Sequence, residues 1–533
     1  MTNASAQTSA GSTPASDPNY ERRWLVLVLV IVAVTQLMIV LDATIVNIAL
    51  PQAQADLAIT DGHRTWVVTA YALAFGALLL LGGRISDYWG RRRSFVVGMS
   101  GFAVASAVGG LAQESWQLFV ARAGQGIFAA LLAPAALAIL TVTFTDPKER
   151  AKAFGVFGAI AGGGAAVGLL LGGVLTEYLS WRWCLLVNVP VAVIAVVAAI
   201  VVIKESKADG DTRYDLPGAV LVALGLGSLV YGFTRAEHGW GSVSAVSFIA
   251  IGLALVLAFG YVEARSDNPL LPLSVLFHRD RGPAFFASTM VGAILVGATL
   301  FLTFYFQIVL QYSPIMAGLA SMPITAGIFV TAGIASALLP RFGPKPLMSV
   351  GPVIAAVGLL LLTRIGVDSS YWASVFPALI LVGLGLGLLI IPQQNVALIG
   401  VADHDAGAAS ALVNATMQVG GALGAAIFTS VYTSGKQTFL TDNPAPTPPA
   451  TMPSPAAAMK QVPSDQELAA MPESMRDFVL ASIDRIFQAE VDAYHTVFAI
   501  AAVFIALISP VVVLVVRAKK DDLPAGDVVV HAG

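Results

Sequence analysis

Residues 24–51 read WLVLVLVIVAVTQLMIVLDATIVNIALP. A helix needs roughly 20 mainly apolar residues to cross about 30 Å of hydrocarbon, and this run supplies them. Its second half, Leu41 to Pro51, places a carboxylate, Asp42, where every neighbour suits lipid. A charge at that depth costs several kcal/mol, so an intramembrane acid marks a candidate functional site.

The rest of the chain agrees with a lipid environment. Of its 533 residues, 57% are hydrophobic and only 11% are charged, whereas a soluble domain carries about 25% charged residues. The 50 glycines suit closely packed membrane helices. A net charge of −3 gives no ground for a nucleic-acid partner, and a single cysteine, Cys184, excludes an intrachain disulfide framework or a cysteine metal cluster. The six histidines are scattered without metal-ligand spacing, and no phosphate-cradling loop is present. An enzyme or receptor would need a clustered nucleophile, a metal site or a soluble domain, and none is legible. No cofactor is expected.

About fourteen apolar runs have spanning length. They lie at 24–47, 65–83, 94–112, 117–141, 152–176, 183–203, 216–234, 243–262, 284–308, 317–338, 347–364, 373–394, 407–432 and 495–516. Most of the 29 Lys and Arg residues, among them Arg91, Arg92, Arg93, Lys148, Arg150, Lys204, Arg279, Arg281 and Lys345, then fall on one side. The positive-inside rule places that side, and both termini, in the cytoplasm. Residues 1–22 are expected to be a disordered cytoplasmic start. Arg22-Arg23 precede a run too long for a signal-peptide core, so the first span is expected to be retained. Segment 433–494 is expected as one long extracytoplasmic loop. Its Pro/Ala/Thr tract (441–458) reads as linker, and Asp465 to Tyr494 shows helical apolar spacing. Residues 518–533 read as a cytoplasmic tail.

A weak internal repeat appears. Gly83 to Arg93 follows the second run, and Leu339-Pro340-Arg341-Phe342-Gly343-Pro344-Lys345 follows the tenth. Both are short basic turns containing glycine. Two bundles, at 23–203 and 284–517, joined by a linker at 204–283 with two further spans, would put them at matching positions. Parallel repeats of this kind are a transporter signature.

The first of these turns, Gly83-Arg84-Ile85-Ser86-Asp87-Tyr88-Trp89-Gly90-Arg91-Arg92-Arg93, resembles the signature loop of the major facilitator superfamily. The resemblance implies gating roles for Gly83, Asp87, Gly90 and Arg91; the second turn has Pro340 where the acid would stand. Gly407 opens the thirteenth run, and its helix N-terminus is the partner expected for Asp87 through the backbone dipole. Arg122-Ala123-Gly124-Gln125-Gly126 resembles the Arg-x-x-Gln-Gly motif, whose arginine is implicated in proton transfer. At about 1.5 Å per residue, Asp42 lies roughly 13 Å from Pro51 and Arg122 roughly 9 Å from Trp116, so the two can pair at similar depth.

Gly164, Gly168, Gly172 and Gly173 form a small-residue ridge suited to helix packing. It resembles the antiporter motif Gly-Pro-x-x-Gly-Gly, with Leu169 in place of the proline. Trp181-Arg182-Trp183 through Pro190, Leu41-Asp42-x-Thr-x-Val-Asn-x-Ala-Leu-Pro, and the series Gly407, Ser410, Asn414, Gln418, Gly420, Gly421, Gly424 resemble the fourteen-helix drug:proton antiporter branch of that superfamily. The fold class implied is all-α integral membrane, with two six-helix bundles and two linking helices.

The function implied is proton-coupled export of amphipathic organic compounds, driven by the proton motive force, from a monomer in the cell membrane. Asp42 and Arg122 would couple the proton. Gln36, Asn47, Phe301, Phe304, Tyr305, Gln307, Asn414 and Gln418, from both bundles, would line the substrate path. No other acid is expected deep in a span, which favours neutral or monocationic cargo. Export of an endogenous lipid or secondary metabolite is the nearest rival, with uptake by symport behind it.

Overall fold

The computed structural model describes residues 18–208, 215–236, 239–266, 269–271, 273–401, 406–446 and 465–522. Expectations for residues 1–17, for the Pro-rich tract 447–464 and for 523–533 lie outside them. Helix is the regular secondary structure of the described residues, with no strand among them.

Fourteen helices of spanning length follow one another among the described residues: α1 (Pro18–Asp56), α2 (Trp66–Trp89), α3 (Arg91–Gly110), α4 (Ser115–Thr143), α5 (Pro147–Tyr178), α6 (Trp183–Val202), α7 (Leu216–Arg235), α8 (Val243–Glu263), α9 (Arg281–Val309), α10 (Pro314–Phe342), α11 (Pro344–Leu362), α12 (Tyr371–Ala397), α13 (Ala406–Asp442) and α14 (Glu473–Val515). Thirteen of these are long and apolar enough to cross a membrane. The other is α3, whose 20 residues reach about 30 Å but open on three arginines and are rich in Gly, Ala and Ser.

Local chemistry sets the ends. Asp146 caps α5 by accepting from the Lys148 and Glu149 amides, with Pro147 at the first helical position. Ser313 caps α10 ahead of Pro314 in the same way. The two basic turns found as a repeat each pivot on one left-handed glycine, Gly90 (φ 130°) between α2 and α3 and Gly343 (φ 75°) between α10 and α11. A side chain is strained in that conformation, which explains glycine at both.

Helix pairing repeats with a shift of eight. In the first bundle α1 packs on α5, α2 and α3 on α4, and α3 on α6; in the second, α9 packs on α13, α10 and α11 on α12, and α11 on α14. The linking helices α7 and α8 pack on each other, and α7 also touches α2 and α13. The chain is therefore two six-helix bundles with a helical pair beside their seam.

The bundles meet through α5 with α10 and α2 with α13. A Cβ on Gly173 would lie 2.7 Å from the Ile315 Cα, and one on Gly318 would lie 2.7 Å from the Leu169 carbonyl oxygen. Both contacts sit at the end of α5 and start of α10, opposite the face that carries the chain ends. Toward the other end of the same helices, Gly155 and Gly333 have open space within 4 Å.

Two expectations change. α1 begins at Pro18 and ends at Asp56, so helix extends at both ends of the apolar run. In segment 433–494, helix α13 continues to Asp442, and the helical spacing over Asp465–Tyr494 is realised as a short helix at Asp465–Ala470 and as α14, which starts at Glu473 and runs on without a break into the last span. Apolarity marks only the part of a helix inside hydrocarbon, and these helices continue past it.

Candidate functional site

Asp42 is fully buried, and so is Arg122. α1 brings the carboxylate and α4 the guanidinium into the interior of the first bundle. Arg122 Nη1 donates to Asp42 Oδ2 at 2.6 Å. The other carboxylate oxygen, Oδ1, accepts from Gln125 Nε2 at 2.8 Å and from Asn188 Nδ2 at 2.7 Å. Ser106 Oγ lies between these amides, 2.7 Å from Gln125 Nε2 and 3.1 Å from Asn188 Nδ2.

Arg122 is held from its other sides as well. Its Nε donates to the Val67 carbonyl at 2.8 Å, and Nη1 also reaches Gln125 Oε1 at 2.9 Å. The guanidinium stands 4.4 Å from the centroid of the Tyr71 ring. Five helices (α1, α2, α3, α4 and α6) thus converge on one ion pair. Arg and Asp pair well in a dry site because the charges offset each other and the remaining lone pairs find donors.

The sequence paired Asp42 with Arg122, and the structure brings them into contact. The sequence did not single out Ser106, Asn188, Gln125 or Tyr71 as partners, and the structure adds them. Gln125 and Asn188 were visible as amides inside otherwise apolar runs, which is the available signal; Ser106 and Tyr71 gave none. The glycine ridge divides between two neighbours. Gly164, Gly168 and Gly172 face Val40, Thr44 and Ile45 of α1, whereas Gly173 faces Ile315 across the seam. α5 runs unbroken through Leu169, as expected where the motif proline is missing.

The other expected site residues do not converge on one cavity. Gln36 and Asn47 are buried on α1. Gln307 donates from Nε2 to the Ile48 carbonyl at 3.0 Å, joining α9 to α1. Gln418 lies at the seam, where a Cβ on Gly76 of α2 would be 3.0 Å from its Cβ. Asn414 Nδ2 turns back to the Ser410 carbonyl at 3.4 Å.

Phe301, Phe304 and Tyr305 are fully buried rather than lining an open path. The Phe301 ring packs 5.3 Å from Tyr432 and 6.2 Å from Tyr494, and the Tyr305 hydroxyl donates to the Gly366 carbonyl. Aromatic side chains bury large areas, and three on one helix face close a bundle readily. Two π-helical stretches of α9, Ala293–Ala298 and Tyr305–Val309, shift the helical register there, which periodicity could not anticipate.

Asp87 accepts from Arg91 Nη2 at 3.2 Å, and the Arg92 and Arg93 amides donate to the Glu205 carboxylate at 3.1 and 3.2 Å. Gly83 packs near Pro134 of α4. The contacts described for the signature turn therefore lie within the first bundle and its linker. Asp42 is not the only buried acid: Glu490 and Glu263 are 4% and 3% exposed. Glu490 lies in α14, within the stretch whose helical spacing the sequence showed, and Glu263 at the end of α8.

A family model described as Major Facilitator Superfamily matches residues 32–425. The puromycin resistance protein pur8 of Streptomyces alboniger is 49% identical over 425 residues, covering 79% of this chain and 84% of that protein. The cephamycin export protein CmcT of Amycolatopsis lactamdurans is 39% identical over 412 residues, covering 76% and 85%. Among solved structures, a bacterial homolog of the human lysosomal transporter Spinster, in an inward-facing and unoccupied conformation, superposes with a TM-score of 0.57 at 16% identity, covering 95% of this chain and all of that one. That likeness is one of fold. The family match spans both bundles and contains Asp42, Arg122 and the signature turn, and so the chain belongs to the Major Facilitator Superfamily.

Proposed function

We propose that the protein is a proton-driven exporter of amphipathic organic compounds, working by alternating access as a monomer in the cell membrane with both termini in the cytoplasm. The observation that carries the reading is the Asp42 cluster. It is a neutral, dry ion pair whose carboxylate can take up one proton without leaving the bundle. A proton on Oδ2 would occupy the oxygen that Arg122 uses. Arg122 would then rest on the Val67 carbonyl, Gln125 Oε1 and the Tyr71 ring, all of which it already touches.

α1 transmits this change. One of its faces lies on the glycine ridge of α5, and Ile48 near its far end is bonded to Gln307 of the second bundle. A shift of α1 therefore reaches the seam. The closed seam opposite the chain ends fits a conformation facing the cytoplasm. Energy would come from the proton motive force, worth about 2.3 kcal/mol per charge per 100 mV, with no bound cofactor.

The names of the relatives support cargo of the size and polarity of an antibiotic: one confers puromycin resistance and another exports cephamycin. They also support a second reading, in which the cargo is a secondary metabolite made by the same cell. A deletion strain separates the two, since loss of resistance to added compounds marks the first and retention of an endogenous compound marks the second. The central test is efflux into membrane vesicles under an imposed pH gradient, comparing wild type with Asp42→Asn. Unchanged coupled efflux in the variant overturns the proton reading.

A further inference from the structure

The loop between α1 and α2 carries two charges that the proton site does not use, Asp61 and Arg64. Arg64 is only 1% exposed although it lies in a loop. Its guanidinium stands 3.8 Å from the Phe304 ring centroid, 4.4 Å from Tyr432 and 5.3 Å from Phe301, all residues of the second bundle. Its nearest carboxylate is Asp61, at 3.6 Å.

Asp61 accepts from Gln54 Nε2 at 2.7 Å and, across the seam, from Lys436 Nζ of α13 at 2.8 Å. Lys436 also donates to Glu490 of α14 at 2.6 Å and to the Tyr432 hydroxyl at 3.1 Å, while Tyr432 donates to Glu490 at 2.7 Å. The four charges sum to zero, and they also sum to zero within each bundle. If the bundles part here, Asp61 leaves with Arg64 and Lys436 stays with Glu490. Stripping a buried charge of its only partner is strongly unfavourable. This arrangement avoids that, so the contact can hold firmly when closed and still open.

We propose that Asp61 and Arg64 are gating residues that latch the outer side of the seam, Asp61 through Lys436 and Arg64 through the ring cage of Phe301, Phe304 and Tyr432. The latch rests on the alternating-access part of the proposed function and is independent of proton coupling through Asp42. It also gives the three buried rings a role as the closed wall of the outer exit. Gln307, half-buried near the end of α9 and bonded across the seam to Ile48 of α1, is the reporter position.

The test uses the full chain in cells, with Cys184→Ala as background and Gln307→Cys as the label site for a membrane-impermeant maleimide added outside. Asp61→Asn and Lys436→Met are each expected to speed labelling about tenfold by shifting the closed–open balance. The double variant should label no faster than the quicker single, because both changes break one bond. Unchanged labelling in both singles, or a double variant showing the product of the two effects, overturns the latch. If these variants do not accumulate in the membrane, Arg64→Lys carries the test: it keeps the charge and loses the flat stack, so labelling as slow as in the parent overturns the cage. Coupled efflux by Asp42→Asn is measured beside it. Retained efflux there removes the proton reading and leaves the latch standing, and unchanged labelling removes the latch and leaves the proton reading.

Discussion

Arg122 and Asp42, 80 positions apart in the chain, meet at 2.6 Å inside the first bundle with neither side chain reaching solvent. Each oxygen of the carboxylate has at least one donor, and the guanidinium is shared among a carboxylate, a backbone carbonyl, an amide oxygen and a ring.

Removing one partner exposes the cost of the other. Arg122→Ala leaves the buried Asp42 without its cationic partner, and should lower stability by about 3–5 kcal/mol, read as a lower melting temperature in detergent. Arg122→Lys should melt closer to wild type and still lose coupled efflux. An ammonium is a point charge and cannot contact Val67, Gln125 and Asp42 with one flat fork.

The amides beside the pair should matter less, and together rather than separately. Gln125→Leu and Asn188→Leu each remove one hydrogen bond to a charged oxygen, worth about 1.5–3 kcal/mol. Both bonds end on Asp42 Oδ1, and both amides contact Ser106. The double variant should therefore depart from additivity in thermal or denaturant unfolding. Simple addition of the two losses would show that the cluster does not act as a unit.

The two ends of the glycine ridge should behave differently. Gly173→Val inserts bulk against the Ile315 backbone, 2.7 Å from the nearest atom, which cannot move as a side chain can. It should hold the outer seam apart and raise outside labelling of Gln307→Cys. Gly164→Val meets Val40 side-chain atoms within one bundle, 3.0 Å away, and should lower stability with little effect on that labelling.

The latch should be indifferent to pH near neutrality. Burial pushes the Asp61 carboxyl up, but Arg64 and Lys436 together outweigh it and hold it below the ordinary carboxylate value. A carboxyl lowered in the closed state contributes fully above its ordinary value, about 3.9, and that contribution is lost as pH falls through the lowered one. In an Asp42→Asn background, outside labelling of Gln307→Cys should be flat from about pH 8 to pH 5 once corrected for an exposed reference cysteine. A rise within that window would place a titrating group in the latch.

Much of this was legible before any coordinates. Hydrophobic run length located the spans, because within a single segment only a helix satisfies the backbone in lipid. The α3 run was legible despite its three arginines, because the apolar stretch after them is long enough. Asp42 and Arg122 stood out because charge in such runs is rare, and counting residues from the outer ends set them at one depth. The paired turns at Gly90 and Gly343 were visible as a repeat, although the left-handed backbone that requires glycine was not.

The sequence by itself determined the membrane fold class, the two-bundle plan and the central ion pair, since each follows from where apolar residues stop and charges intrude. Only the tertiary structure decided which amides complete the Asp42 shell, that Phe301, Phe304 and Tyr305 are sealed, and that Asp61, Arg64, Lys436 and Glu490 meet. The physical reason is the same in each case. Apolar periodicity records what faces lipid along one helix, whereas these contacts join helices remote in sequence, several of them on polar helix ends beyond the hydrocarbon. The carboxylate of Asp42 was found as an isolated charge in an apolar run; folding made it the acceptor for three side chains from two other helices at once.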